Sequence, residues 1–87
     1  MSTKTPLPPV EFPPDSIEKI SYAIAAEIPS REPNDNIRLG YHIWAYLKER
    51  VGTLEDAVLR AGVRSELTRD EICRRIRKSC EKRGIPC

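Results

Sequence analysis

The sequence predicts an all-α chain: a small domain of four helices, three longer and one short, preceded by a proline-rich extended arm. Three observations carry that reading. Apolar residues recur at helical spacing in separate stretches, each stretch is bounded by capping or helix-breaking residues, and none shows the sustained alternation of a strand. A chain of 87 residues has room for one core. The expected organisation is an arm over 1–14 and a single helical domain over 15–87.

The first fourteen residues hold five of the eight prolines. Proline fixes φ and removes an amide donor, so an extended arm is expected here. Pro6 and Pro9 form a PxxP, but Glu11 stands where a basic flank would help a ligand of SH3-type domains. The plainer reading is an arm lying on or leaving the domain.

From Asp15 the pattern turns helical. Asp15 has the side chain of an N-cap with Glu18 three residues on, and Ile17, Ile20, Ile24 and Ile28 follow until Pro29 stops the run. At about 100° per residue the four isoleucines fall within roughly 80° of arc, a narrow seam. The predicted helix covers 15–28.

A second helix is expected over 35–51, with Gly52 as its stop. Ile37, Gly40, Tyr41, Ile43, Trp44, Leu47 and Val51 span more than about 150° of its circumference, which marks it as the central helix. Gly40, lacking a β-carbon, lets another helix approach; Trp44 is expected to fill the middle of the core. Thr53 caps a short third helix over 54–61, with Leu54, Ala57, Val58 and Ala61 inward and a left-handed cap at Gly62 followed by Val63.

The fourth helix, 69–83, has the clearest start signal. Thr68 and Glu71 make a capping box, and Leu67 can staple onto Ile72. Asp70 and Glu71 in the first turn and Lys82 and Arg83 in the last complement the helix dipole. Gly84 is the expected stop, with Ile85 folding back toward Cys80 and Pro86 barring continuation. The predicted core is Ile17, Ile20, Ile24, Ile28, Ile37, Tyr41, Trp44, Leu47, Val51, Val58, Ile72 and Ile76.

Composition narrows the function. With 39% hydrophobic and 32% charged residues, the chain reads as soluble and globular. The longest weakly polar run, "YAIAAEI", is too short and polar to span a bilayer, and the N-terminus lacks the apolar centre of a signal peptide. Three cysteines without a CxxC pair point to reduced thiols and a cytoplasmic chain.

Enzyme chemistry fails for want of parts. His42 is the only histidine and projects to the polar side of its helix, away from any cysteine. Phosphate loops, HExxH patterns and metal-loop acids are missing from the sequence, so no catalytic, cofactor or metal site is expected. Cys73 and Cys80 lie two turns apart, about 10.5 Å along one face, too far for a disulfide. They read as small buried thiols, while the Gly84 turn can return Cys87 toward Cys80 or leave it free to crosslink two chains.

The distinctive feature is "ICRRIRKSCEKR", residues 72–83. Residues 1–63 carry seven Lys/Arg against nine Asp/Glu, whereas residues 64–87 carry eight against four. Ile72, Cys73, Ile76 and Cys80 cover about 100° of the helix, leaving Arg74, Arg75, Arg77, Lys78 and Lys82 on the remaining surface. Like charges at helical spacing repel by some tenths of a kcal/mol per pair, so this face is not optimised for stability alone.

The sequence therefore leads to a small non-catalytic regulatory protein that binds DNA through phosphate contacts from this face, in keeping with transcription regulation. The alternative is an interaction module or inhibitor docking on an acidic protein surface, and its own acidic half could serve in a symmetric dimer. "LEDAVLRAGV" before "TRDEICRRIRK" loosely resembles a helix-turn-helix. The connection is longer than in that motif, and acids occupy the turn that should read bases, so no family follows. Membrane binding is disfavoured because the apolar face of this helix has no Trp, Phe or Leu.

Overall fold

A computed structural model of the chain describes residues 14–87, with side chains from Ser16 onward. Among these residues the fold is all-helical: α1 Pro14–Ala26, α2 Pro33–Glu49, α3 Leu54–Ala61 and α4 Arg69–Lys82. Residues 1–13, nearly all of the expected arm, lie outside the described residues. Pro14, counted with the arm on sequence grounds, opens α1, and Asp15 therefore stands inside the first turn rather than at the cap. α2 likewise begins on a proline, Pro33, whose fixed φ suits a first helical position and whose missing N–H would have no intrahelical partner there. Each helix packs on its neighbours in sequence, and α4 closes back on α1.

α1 stops at Ala26, two residues before the expected end; Pro29 has no N–H to bond the Ala25 carbonyl, and a side chain on α2 supplies a donor there instead. Asn36 Nδ2 donates to the carbonyls of Ala25 and Ile28, 2.8 Å each, and the Ser30 hydroxyl donates to Asn36 Oδ1. Carbonyls left open at a helix end need a partner. Here the partner comes from the next helix, so the turn between them is held at both sides.

α2 ends at Glu49, and its stop is Arg50, not Gly52. Arg50 takes a left-handed conformation, φ 58°, while its N–H bonds the Tyr46 carbonyl at 2.8 Å. A non-glycine residue there carries a strain of about 1–2 kcal/mol.

α2 also turns a different edge to the core than predicted. Leu39, Gly40, Ile43 and Leu47 are buried, whereas Ile37 is 59%, Tyr41 52% and Val51 75% exposed. Trp44 is half-buried, not central. The apolar arc of this helix is wider than the three other helices cover, and Ile37, Tyr41 and Trp44 form its uncovered flank. On the covered edge Gly40 meets the Tyr22 ring of α1, which a β-carbon would overlap. The close approach expected at Gly40 is therefore present.

The α2 start is tied to the far side of the fold by an enclosed carboxylate. Asp35 has no exposed surface. It accepts hydrogen bonds from the Arg64 backbone N–H at 3.0 Å, from Arg64 Nε at 3.2 Å and from Arg38 at 2.8 Å. Arg38 Nε in turn donates to the Ala61 carbonyl at the end of α3, and the Arg31 N–H donates to the Arg64 carbonyl at 2.9 Å. Hydrogen bonds from Arg64 hold the Asp35 pKa down at about 2. A buried carboxylate with every oxygen paired is stable only as the charged form.

The caps of α3 and α4 follow the sequence closely. Thr53 Oγ1 accepts from Asp56 N, and Gly62, φ 62°, ends α3. Thr68 and Glu71 form the reciprocal capping box at 3.2 and 2.7 Å. At the far end of α4, Gly84 N–H bonds Glu81 O and Ile85 N–H bonds Cys80 O, at 3.1 and 2.8 Å, with Gly84 left-handed at φ 72°. These two bonds are the paired 5→2 and 6→1 closure that folds the chain back on a helix end. Ile85 is buried as a result.

The core gathers Ile24, Ile28, Leu39, Ile43, Leu47, Leu54, Val58, Ala61, Ile72, Cys73, Ile76, Cys80 and Ile85, with Ile17 and Ile20 at its edge. Burying one such aliphatic side chain contributes about 1.5–3 kcal/mol.

Candidate functional site

The inward stripe of α4 determines what its outer face presents. Ile72, Cys73, Ile76, Ser79 and Cys80 point into the core. Arg74, Arg75, Arg77, Lys78 and Lys82 are consequently exposed, all five as expected. By helical projection Arg74, Lys78, Lys82 and Arg75 fall within about 100° of arc, a continuous stripe rising roughly 12 Å from Arg74 to Lys82.

Ion pairing separates these five into two groups. Arg77 meets the Glu55 carboxylate of α3 at 2.9 Å, and Arg83, at the C-cap of α4, meets Glu27, just past the end of α1, at 3.3 Å. Glu27 also accepts from the buried Ser79 hydroxyl at 2.6 Å, and this bond is the main cause of its lowered pKa. Arg74, Arg75, Lys78 and Lys82 form no ion pair among the described residues. Charges without a carboxylate partner keep their full attraction for an external anion. Sequence reasoning counted Arg77 with the open bases, and only the packing of α3 on α4 shows that it is engaged.

A shallow groove of about 520 Å³ runs beside this stripe, between α4 and the returning chain. Arg74, Arg77, Lys78 and Glu81 form its helix side, and Ile85, Pro86 and Cys87 the other. Tyr46 of α2 donates its hydroxyl hydrogen to the Cys87 carbonyl at 3.3 Å. The Cys80 thiol, buried, and the Cys87 thiol, on an exposed residue, are neighbours at this turn. That proximity was one of two alternatives for Cys87 in the sequence; the Tyr46 anchor had no sequence signal. Cys73 is buried apart from them, and burial pushes its pKa up.

A second surface is the uncovered flank of α2. Tyr41 meets the Trp44 ring edge-on, 6.1 Å between centroids, and Lys48 lies 4.5 Å above the indole. Trp44 Nε1 is occluded and has no hydrogen-bond partner among the described residues. Aromatic and apolar side chains grouped at a surface mark contact sites more often than isolated ones do. The sequence signal for this flank is the excess width of the apolar arc, which periodicity alone does not distinguish from core.

His42 is half-buried, its pKa lowered by desolvation and by Arg60 and Arg38. It lines a 130 Å³ cavity between α2 and α3 with Tyr46, Glu49, Asp56 and Arg60. Among the described residues no three His, Cys, Asp or Glu side chains are placed to hold a metal ion. No described helix is long and apolar enough to cross a membrane. Comparisons with protein-family models, with curated proteins and with solved structures find no match to this chain.

Proposed function

We propose that the protein is a small non-catalytic regulator that binds the phosphate backbone of nucleic acid, DNA first, through the stripe Arg74, Arg75, Lys78 and Lys82, with Arg77 at its edge. The observation that carries this reading is the exposure of four bases on one arc of α4 with no ion pair among the described residues. Phosphate contact rather than base reading fits the stripe. Its bases lie in the middle and last turns, and the first turn holds Asp70 and Glu71. The reading sets the chain in the cytoplasm, where its three free thiols stay reduced.

Titration of generic duplex DNA at two salt concentrations tests it. Each phosphate neutralised adds about 0.9 to the slope of log affinity against log salt, so replacing Arg74, Arg75 and Lys78 by alanine should flatten the slope by roughly 2–3. Absence of binding at low salt in the parent chain overturns the proposal.

The α2 flank favours a second reading, docking on a protein. Ile37, Tyr41 and Trp44 resemble the apolar centre of an interface, and the bases of α4 would meet an acidic partner. A complex recovered from extract after nuclease treatment, lost in Tyr41→Ala, supports this reading over the first. Sedimentation of the purified chain separates docking on another protein from pairing of two copies.

A further inference from the structure

The thiol pair beside the groove has a role that phosphate binding does not use. We propose that Cys87 is a thiol–disulfide exchange site for small anionic disulfides, with Cys80 as the resolving thiol. The inference does not depend on the nucleic-acid reading.

Four features of the fold support it. The turn at Gly84 and the Ile85-to-Cys80 backbone bond bring the chain back along α4, and Tyr46 holds the Cys87 carbonyl. The two thiols are thereby adjacent, one on an exposed residue and the other buried. Exposure decides the order of events, since an external disulfide can reach Cys87 but not Cys80. Third, the groove beside Cys87 is lined by Arg74, Arg77 and Lys78 against the single acid Glu81, a balance that attracts an anionic reactant.

The fourth feature is the state of the Cys87 sulfur. The neighbouring Cys80 thiol, with Arg77 and Arg50 adding their positive charge, lowers its pKa to about 7 against the opposing effects of burial and of Glu55. The same contact, together with burial, raises Cys80. A thiol with pKa near ambient pH is well suited to attack, because it is substantially ionised yet still nucleophilic.

The exchange proceeds in two balanced steps. The Cys87 thiolate attacks one sulfur of R–S–S–R; a Cys87–S–S–R bond forms, the external S–S bond breaks, and R–S⁻ departs to take a proton from solvent. The Cys80 sulfur then attacks the Cys87 sulfur, its proton passing to the second R–S⁻ as that group leaves. Two protein thiols become one disulfide, and one external disulfide becomes two thiols. Reduced external thiol in excess reverses both steps.

The test treats the reduced full chain with oxidised glutathione, an anionic disulfide, or cystamine, a cationic one, followed by intact and peptide mass spectrometry. With glutathione the expected course is a single adduct at Cys87 that gives way to a Cys80–Cys87 disulfide. Cys80→Ala should stop at the adduct, and Cys87→Ser should give neither product. Oxidised glutathione should react roughly tenfold faster than cystamine, and Arg77→Ala with Lys78→Ala should reduce that preference. Equal rates for the two reagents, or first modification at Cys73 or Cys80, would overturn the site. A parent-chain adduct that persists overturns the resolving role of Cys80 without depending on any variant folding.

Discussion

Arg38 and Arg64 converge on the enclosed Asp35 carboxylate, whereas Arg74, Arg75 and Lys78 on α4 meet no carboxylate among the described residues. Both regions are arginine-rich, and a count of charges along the chain does not tell them apart. In the first, two guanidinium groups and a backbone amide satisfy one buried acid and fasten α2 to the segment between α3 and α4. In the second, the neighbouring charges repel one another and no ion pair within the described fold relieves them. The difference separates a structural use of arginine from a binding use, and it lies in the partners rather than in the residue type.

Replacing Asp35 by alanine tests the structural side of this contrast most severely. It leaves two arginines facing a vacated enclosed site, and Tm in thermal unfolding should fall by on the order of 10 °C. A loss no larger than that from an exposed ion pair would erase the distinction between the two regions.

Acid should act through the same group. The folded pKa of Asp35, about 2, lies below its ordinary value of 3.8. Its contribution is therefore complete above about pH 4 and is lost as pH falls through 2. Glu27, Glu55 and Glu71 are lowered as well, so part of any acid destabilisation belongs to them. Thermal melts between pH 5 and 2 on the parent chain and on Asp35→Asn isolate the Asp35 share, which should be absent from the variant.

Arg77 is the intermediate case, basic and exposed yet paired with Glu55. Arg77→Ala should lower Tm by only about 2 °C, because solvent screens a half-exposed pair. At the opposite end, alanine at Arg74, Arg75 and Lys78 should leave Tm unchanged or raise it by about 2 °C, through relief of repulsion. A clear drop would mean that these bases support the fold, and the open stripe would lose its meaning as a binding face.

The local signals in the sequence sufficed for α3 and for the caps of α4, but not for the ends of α1 and α2. Thr53, Thr68 with Glu71, Gly62 and Gly84 each act where their side chains or φ preferences indicated, because caps depend on residues within one turn. The facing of α2 was not legible. Periodicity shows how wide an apolar arc is, but which edge is covered depends on where α1 and α3 lie, and that choice buried Leu39 while exposing Ile37 and Tyr41. The α1 end was missed for a related reason, since Asn36 reaches it from eight and eleven residues away. For the candidate site, an amphipathic helix places its bases outward in any fold, so the five exposed residues were readable. Pairing of Arg77 with Glu55, 22 residues distant, was not.

The Asn36 clamp also bears on how the molecule opens. One side chain closes the last turn of α1 while it stands in the first turns of α2. Fraying of the α1 end then requires release of the α2 start, and each helix loses a boundary when the other does. Amide hydrogens flanking residues 25–36 therefore exchange with solvent as one cooperative unit, not as two independently fraying ends.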